Sequence, residues 1–241
     1  MDSSGLSTSP TEGAHPTDDV SHANDDVNLV DTSQGADKLP SAETVRQAGS
    51  YEVLDREGKP HTFQSLYNEP SSASRVLVIF VRHFFCGNCQ EFLRTFSEAV
   101  TPDDLVPLNT SVVIIGCGDP GLIDMYATES GCQFPIFADP TRKLYDEFEM
   151  ITSLAWGARP KYMRKSMSRS IAESIVKALK QIPSGLVTKG GESSQNGGEF
   201  LFEVSGDGQE KQVTWCHRMG NTRDHTEVSE LARILKVTQS Q

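Results

Sequence analysis

The sequence predicts an α/β fold built on a layered sheet. Three observations carry that expectation. Short apolar β-rich runs, such as Val76-Leu-Val-Ile-Phe-Val81 and Ser111-Val-Val-Ile-Ile115, alternate with segments of helical periodicity. Gly, Pro and Asp mark the joins, as in Asp55-Arg-Glu-Gly-Lys59 and Asp139-Pro140. At 241 residues the chain has room for one domain plus extras, and its first forty residues have a composition unlike the rest.

Residues 1–40 are rich in Ser, Thr, Asp, Gly and Pro. They carry eight acids and one Lys, a net −7 of the whole chain's −11. Such a segment buries too little apolar surface to offset its ordering entropy, so a disordered acidic tail is expected over 1–40 and a globular domain over 41–241. The remaining −4 leaves that domain mildly acidic, which argues against a nucleic-acid binder.

Within the domain, Tyr51–Leu54, the turn 55–59 and His61–Phe63 read as strand, turn and strand. Val76–Val81 follows as a buried strand. A helix begins near residue 86, because Phe92, Leu93 and Phe96 recur at helical spacing. Ser111–Ile115 is the next buried strand, followed by a helix over about 120–130. Phe134–Phe137 is a short strand and Thr141–Phe148 a short helix. A longer helix is expected over about 160–182, with Met163, Met167, Ile171, Ile175, Leu179 and Ile182 on one face. Lys161, Arg164, Lys165, Arg169, Lys177 and Lys180 stand against Glu173 there, which reads as a solvated basic face rather than a docking helix. Phe200–Val204 and Gln212–Cys216 form a hairpin around Ser205-Gly-Asp-Gly208, and Glu227–Val237 closes the chain as a helix.

The chemistry is concentrated at Cys86-Gly-Asn-Cys89, where a strand turns into a helix. Unsatisfied N–H groups and the positive dipole end of a helix stabilise a thiolate, the nucleophile of thiol chemistry. The pattern predicts Cys86 as the attacking thiol, partly exposed at the helix entrance, and Cys89 as the resolving thiol one turn on. Half a zinc site is the competing reading. It would need a second cysteine or histidine pair, and Cys117, Cys132 and Cys216 stand alone, so redox is favoured and no metal is expected. Five cysteines without a recognisable signal segment suggest a reducing, cytoplasmic setting, in which the sequon at Asn109-Thr-Ser111 would be idle. No apolar stretch is long enough for a membrane span.

The βαβ order makes the strands 76–81 and 111–115 parallel and ends them on one edge. The hairpin returns Gly197, Gly198 and the run Cys216-His217-Arg218 to that edge. Arg82, Cys117 and Arg218 are therefore expected near the dithiol, with His83 beside Arg82. Either His83 or His217 could be an acid–base group, and a packed structural role is at least as good a reading for each. Gly116-Cys-Gly-Asp-Pro-Gly121 matches a dinucleotide fingerprint, which would imply an NAD-linked enzyme. Asp119 and Pro120 oppose it, being better read as a helix cap and first-turn proline.

Asp55–Lys59, Val81–Cys86, Phe134–Pro140, Gly197–Phe202 and His217-Arg-Met…Asp224-His225 together resemble the peroxiredoxin-like AhpC/TSA antioxidant-domain family of the thioredoxin-like superfamily. That family includes prostamide/prostaglandin F synthase-like proteins, and this chain looks like a fungal member. The resemblance spans about residues 45–238. It implies a thioredoxin-like three-layer sandwich, with helices on both faces of a central mixed sheet. It also implies a Cys86/Cys89 dithiol that takes electrons from thioredoxin or a similar donor, ultimately NADPH, with no bound cofactor, and reduces a peroxide or a disulfide. Arg82 and Arg218 would support the thiolate. Phe84, Phe85 and the Gly197-Gly198 turn would hold the substrate, and His83 and Cys117 would be accessory. Typical peroxiredoxins carry Pro-x-x-x-Thr/Ser-x-x-Cys; Ile79 and His83 occupy those positions here. A bulky disulfide or organic peroxide is therefore expected to be favoured over hydrogen peroxide. The alternative is a thioredoxin scaffold whose dithiol is a sensor or a relic, a binding module rather than an enzyme.

Overall fold

The computed structural model describes residues 37–69, 72–163, 188–204 and 210–237. Among the described residues, seven strands form one mixed sheet: β1 Glu52–Leu54, β2 Pro60–Thr62, β3 Arg75–Phe80, β4 Thr110–Gly116, β5 Ile136–Ala138, β6 Gly198–Val204 and β7 Lys211–Arg218. Their order is β2-β1-β5-β4-β3-β6-β7. The centre is parallel, β3 with β4 and β4 with β5, and the flanking pairs are antiparallel. The parallel pairing of β3 and β4 makes both end on one edge, as the βαβ pattern requires. There the hydroxyl of buried Tyr145 donates to the carbonyls of Val81 (2.7 Å) and Ile115 (3.1 Å), tying the two strand ends together.

Helices cover both faces. On one lie α3 Gly87–Ala99, α5 Ile123–Ser130 and α7 Val228–Leu235, which bury Phe92, Phe96, Tyr126 and Leu231 against Leu77, Ile79 and Ile114. On the other lie α1 Ala42–Gly49, α2 Phe63–Tyr67 and α6 Lys143–Glu147, packed over Val76, Val78, Phe80 and Phe200. The strict alternation along β3 divides the two cores, since successive side chains point to opposite faces. Each fully buried Phe or Leu contributes about 1.5–3 kcal/mol relative to exposure. A short α4, Pro102–Leu105, carries a complete capping box between Thr101 and Asp104.

Three short elements escaped the sequence reading: α1, α2 and α4. Each is eight residues or fewer. The helix over 120–130 opens with a 3-10 turn at Pro120–Leu122. The long helix expected over about 160–182 falls mostly on residues 164–187, outside the described residues, and its first residues, 160–163, are not helical. All of the acidic segment except residues 37–40, and the hairpin turn Ser205–Gly208, also lie outside them. Among the described residues no helix is long and apolar enough to cross a membrane.

Candidate active site

Cys86 is the N-cap of α3. Its backbone is extended (φ −74°, ψ 103°), and its sulfur accepts the N–H of Cys89 at 3.3 Å. The Cys89 Sγ–H donates to the same sulfur at 2.8 Å, and the two are separate thiols. Arg82 Nη1 stands 3.5 Å away on the side facing the turn. One sulfur thus faces three donors, one of them permanently charged.

These partners set the two thiols apart. Burial opposes the Cys86 anion. The hydrogen bond from Cys89 and the charges of His83 and Arg82 nonetheless hold its pKa well below that of an ordinary thiol. Cys89 moves well above, because it is buried and its thiol donates a hydrogen bond to Cys86. Burial also lowers the pKa of His83, so near neutral pH the constant charge beside Cys86 is Arg82. Cys86 is therefore predicted to alkylate with a pH midpoint below that of a free thiol, the rate falling as pH drops through the lowered pKa. A midpoint at or above the free-thiol value would contradict this cradle.

Arg82 is itself buried and anchored. Its Nε donates to the Gln195 carbonyl at 3.1 Å and Nη2 to the Ser193 carbonyl at 2.5 Å. The turn that carries it is pinned by Phe84 N–H to the Gly190 carbonyl, 2.9 Å. Gln195, fully buried, splices neighbouring segments. Its amide donates to the carbonyls of Met150, Ile151 and Asn196, and its oxygen accepts from Arg142. The sequence pattern gives no sign of this splicing role for Gln195.

Several expectations are corrected. Cys86 is 4% exposed rather than partly open; Arg82, anchored on the 193–195 turn, stands against its sulfur. Arg218 reaches the same sheet edge, but its side chain lies on the opposite face. It bonds the carbonyls of Phe148 and Lys38 and stacks over Phe200. Alternation along β7 decides this: Cys216 and Arg218 share one face and His217 takes the other.

Phe84 is fully buried against Tyr126 and the glycines 116 and 118, so it is core rather than a substrate contact. Phe85 is half-buried over Gly190, where a Cβ would meet its ring at 2.2 Å. Gly197 and Gly198 are buried and serve close backbone approach. A Cβ on Gly197 would lie 1.9 Å from the Phe80 carbonyl oxygen, a fixed atom. Gly197→Ala should therefore lower stability by about 1–3 kcal/mol or more, read as a fall in Tm; a wild-type Tm would refute the packing argument.

Cys117 adjoins the site as a thiol whose pKa burial pushes up to about 11, and its S–H donates to the Arg82 carbonyl at 2.9 Å. It braces Arg82 and is poorly suited to attack. His83 contributes its carbonyl, which accepts the Cys86 N–H at 3.0 Å. At the dinucleotide-like run, Asp119 caps the 3-10 turn by accepting the Gly121 N–H at 2.9 Å. The space above Gly116 and Gly118 is taken by the ring of Phe84, so no cradle for a pyrophosphate remains there. Among the described residues no group of three or more His, Cys, Asp or Glu side chains is placed to hold a metal.

Glu199 and His225 on this face were not singled out by the sequence pattern. They form a fully buried pair, Oε1 to Nδ1 2.5 Å, and the imidazole stacks on Phe92 of α3 at 4.2 Å. A carboxylate inside the apolar run Gly198-Glu-Phe-Leu-Phe202 was the available signal, since a buried charge needs a partner.

The description "AhpC/TSA antioxidant enzyme" belongs to the family model that matches residues 76–221, more than half of the chain, including Arg82, Cys86, Cys89 and Gln195. The chain belongs to the AhpC/TSA family. Curated relatives include Peroxiredoxin-like 2C of Bos taurus, 24% identical over 187 residues, covering 77% of this chain and 76% of that protein. The Takifugu rubripes protein of the same name is 27% identical over 194 residues, covering 78% and 80%. Among solved structures, a cysteine-to-serine mutant of the peroxiredoxin 6 of Arenicola marina superposes with a TM-score of 0.50 at 12% identity. It covers 83% of this chain and 72% of the other. The fold is thus peroxiredoxin-like within the thioredoxin-like class, and AhpC/TSA membership associates the chain with thiol redox chemistry.

Proposed function

We propose that this AhpC/TSA protein is a thiol–disulfide oxidoreductase whose Cys86/Cys89 dithiol reduces a disulfide or an organic peroxide. The observation that carries the reading is the cradle around the Cys86 sulfur: the Cys89 N–H, the Cys89 thiol and Arg82. The Cys86 thiolate attacks a disulfide sulfur, forming a mixed disulfide and releasing one thiolate, which takes up a proton. Cys89 keeps its own proton until this step, then attacks Cys86. The Cys86–Cys89 disulfide forms and the second substrate thiol leaves. With an organic peroxide, Cys86 becomes a sulfenic acid and an alcohol departs. Cys89 then condenses with it and releases water. Either cycle leaves the protein oxidised by two electrons, which an external dithiol such as thioredoxin returns from NADPH. This chemistry suits a reducing compartment such as the cytoplasm.

An NADPH-coupled assay with thioredoxin and thioredoxin reductase, run against disulfides, organic peroxides and hydrogen peroxide, tests the proposal. Turnover with the first two is expected; no turnover with any of them would favour the non-catalytic sensor, the reading that the burial of Cys86 supports.

Substrate preference follows from His83. It occupies the position at which typical peroxiredoxins place a Thr or Ser hydroxyl beside the peroxide. An oriented donor of that kind lowers the barrier by about a few kcal/mol. His83→Thr should raise hydrogen-peroxide reactivity by stopped-flow while changing disulfide reduction little. No gain would show that residue 83 does not limit peroxide chemistry.

A further inference from the structure

The turn that anchors Arg82 is itself held from a second side. Arg142 stands at the start of α6, and its Nη1 donates to the Gln195 side-chain oxygen at 3.3 Å. The surroundings fix which way the Gln195 amide points. Its nitrogen faces the carbonyls of Met150, Ile151 and Asn196, all acceptors, so the atom that Arg142 meets is the oxygen. The Gln195 backbone carbonyl in turn accepts Arg82 Nε at 3.1 Å, and Arg82 Nη1 lies 3.5 Å from the Cys86 sulfur. Arg142, Gln195, Arg82 and Cys86 thus form one continuous chain of polar contacts.

The backbone of Arg142 is unusual in a way that points to its side chain. It is left-handed, φ 60° and ψ 16°, a conformation that L-residues avoid and that glycine or asparagine adopts more readily. Asp139 locks the turn. Its carboxylate accepts the Thr141 hydroxyl at 2.6 Å and the Leu144 N–H at 2.9 Å, one on each side of Arg142. Strained backbone persists where the surroundings over-determine it, and it gathers at functional sites. An arginine at this position makes no capping bond to α6, so the helix start does not account for it. The 190–196 turn also feels its charge: hydrogen bonds from Ser194, and after them the Arg142 guanidinium, hold the Glu192 carboxyl below its usual pKa.

We propose that Arg142 is a positioning residue for the dithiol: by holding the Gln195 side chain it fixes the 193–195 turn, and through that turn the reach of Arg82 to the Cys86 sulfur. The inference deepens the oxidoreductase reading and rests on its cradle. Alkylation of Cys86 tests it without turnover, so a protein that reduces neither disulfides nor peroxides still answers the question. The titratable and charged groups facing Cys86 are Cys89, His83 and Arg82, with Tyr126 and Tyr162 beyond them; Arg142 faces Glu192 and Cys117 instead.

The test is Arg142→Gly in the full chain. Glycine accepts the left-handed backbone, and relief of that strain offsets the lost hydrogen bond, so Tm should stay close to wild type. The pH midpoint of Cys86 alkylation should nonetheless rise. At neutral pH the rate should fall about threefold, the low end for a residue acting through another. At pH above the raised midpoint it should return to the wild-type value, because the thiol is then ionised in both. Exchange of the Arg82 Nε–H with solvent, read by NMR, should accelerate, because its acceptor is no longer held. Arg142→Asn, which also tolerates the left-handed backbone, should behave alike and serves if glycine loosens the start of α6. An unchanged midpoint in both variants would overturn the assignment. So would a raised midpoint with unchanged Arg82 exchange, since Arg142 would then act by its charge alone. Unfolding of both variants would make Arg142 a residue of the fold and overturn it equally.

Discussion

Cys86→Ser should abolish turnover, a loss on the order of a thousandfold or more, because the hydroxyl that replaces the thiol is not ionised at neutral pH. Cys89→Ser should instead trap a covalent intermediate at Cys86. With disulfide substrates it should accumulate as a mixed disulfide, visible by mass spectrometry and released by reductant. The order follows from the geometry: Cys86 sits at the helix entrance and receives donors, whereas Cys89 lies inside the first turn and supplies one. Both cysteines are buried, so neither substitution opens an exposed face. Cys89→Ser should also weaken the cradle, because a serine hydroxyl reaches less far than a thiol, and trapping should be slower than wild-type attack. A mixed disulfide forming at Cys117 or Cys216 would assign the chemistry elsewhere.

Arg82→Gln should have the next largest effect. The guanidinium is the constant charge 3.5 Å from the Cys86 sulfur, and removing it raises the Cys86 pKa. A smaller fraction of thiolate then exists at neutral pH, and alkylation there should slow roughly tenfold. The sign distinguishes electrostatics from misfolding. As pH rises above the new pKa the variant should regain the wild-type rate, because the thiol is then ionised in both. Arg82 also satisfies the carbonyls of Ser193 and Gln195, so stability should fall by about 1–3 kcal/mol as those acceptors lose their donor. Arg82→Lys keeps the charge but not the fork, and should recover more of the pH midpoint than of the stability. An unchanged midpoint in Arg82→Gln would remove Arg82 from the cradle.

The dithiol was legible because its signal is local. Cys86-Gly-Asn-Cys89 joins an apolar run to a helical one, and backbone geometry alone puts the first cysteine at a helix N-terminus. The strand pairing was legible for the same reason, since Val76–Val81 and Ser111–Ile115 are continuous buried runs joined by a helix. Arg82 lies four residues from Cys86, so its proximity was also readable. Arg218 was misplaced because sequence order brings it to the right edge without saying which face it takes. One step along β7 exchanges Arg218 for His217.

By itself the sequence determined the α/β class and the strand–helix junction that carries the cysteine pair, properties of residues within a few positions of one another. Tertiary structure alone decided the rest. It anchored Arg82 on the 193–195 turn beside Cys86, filled the dinucleotide-like glycines with Phe84, and paired Glu199 with His225. The physical reason is distance along the chain. Arg82 and Gln195 are 113 residues apart and Glu199 and His225 are 26, so their contacts exist only after the sheet has assembled and each strand has committed its two faces.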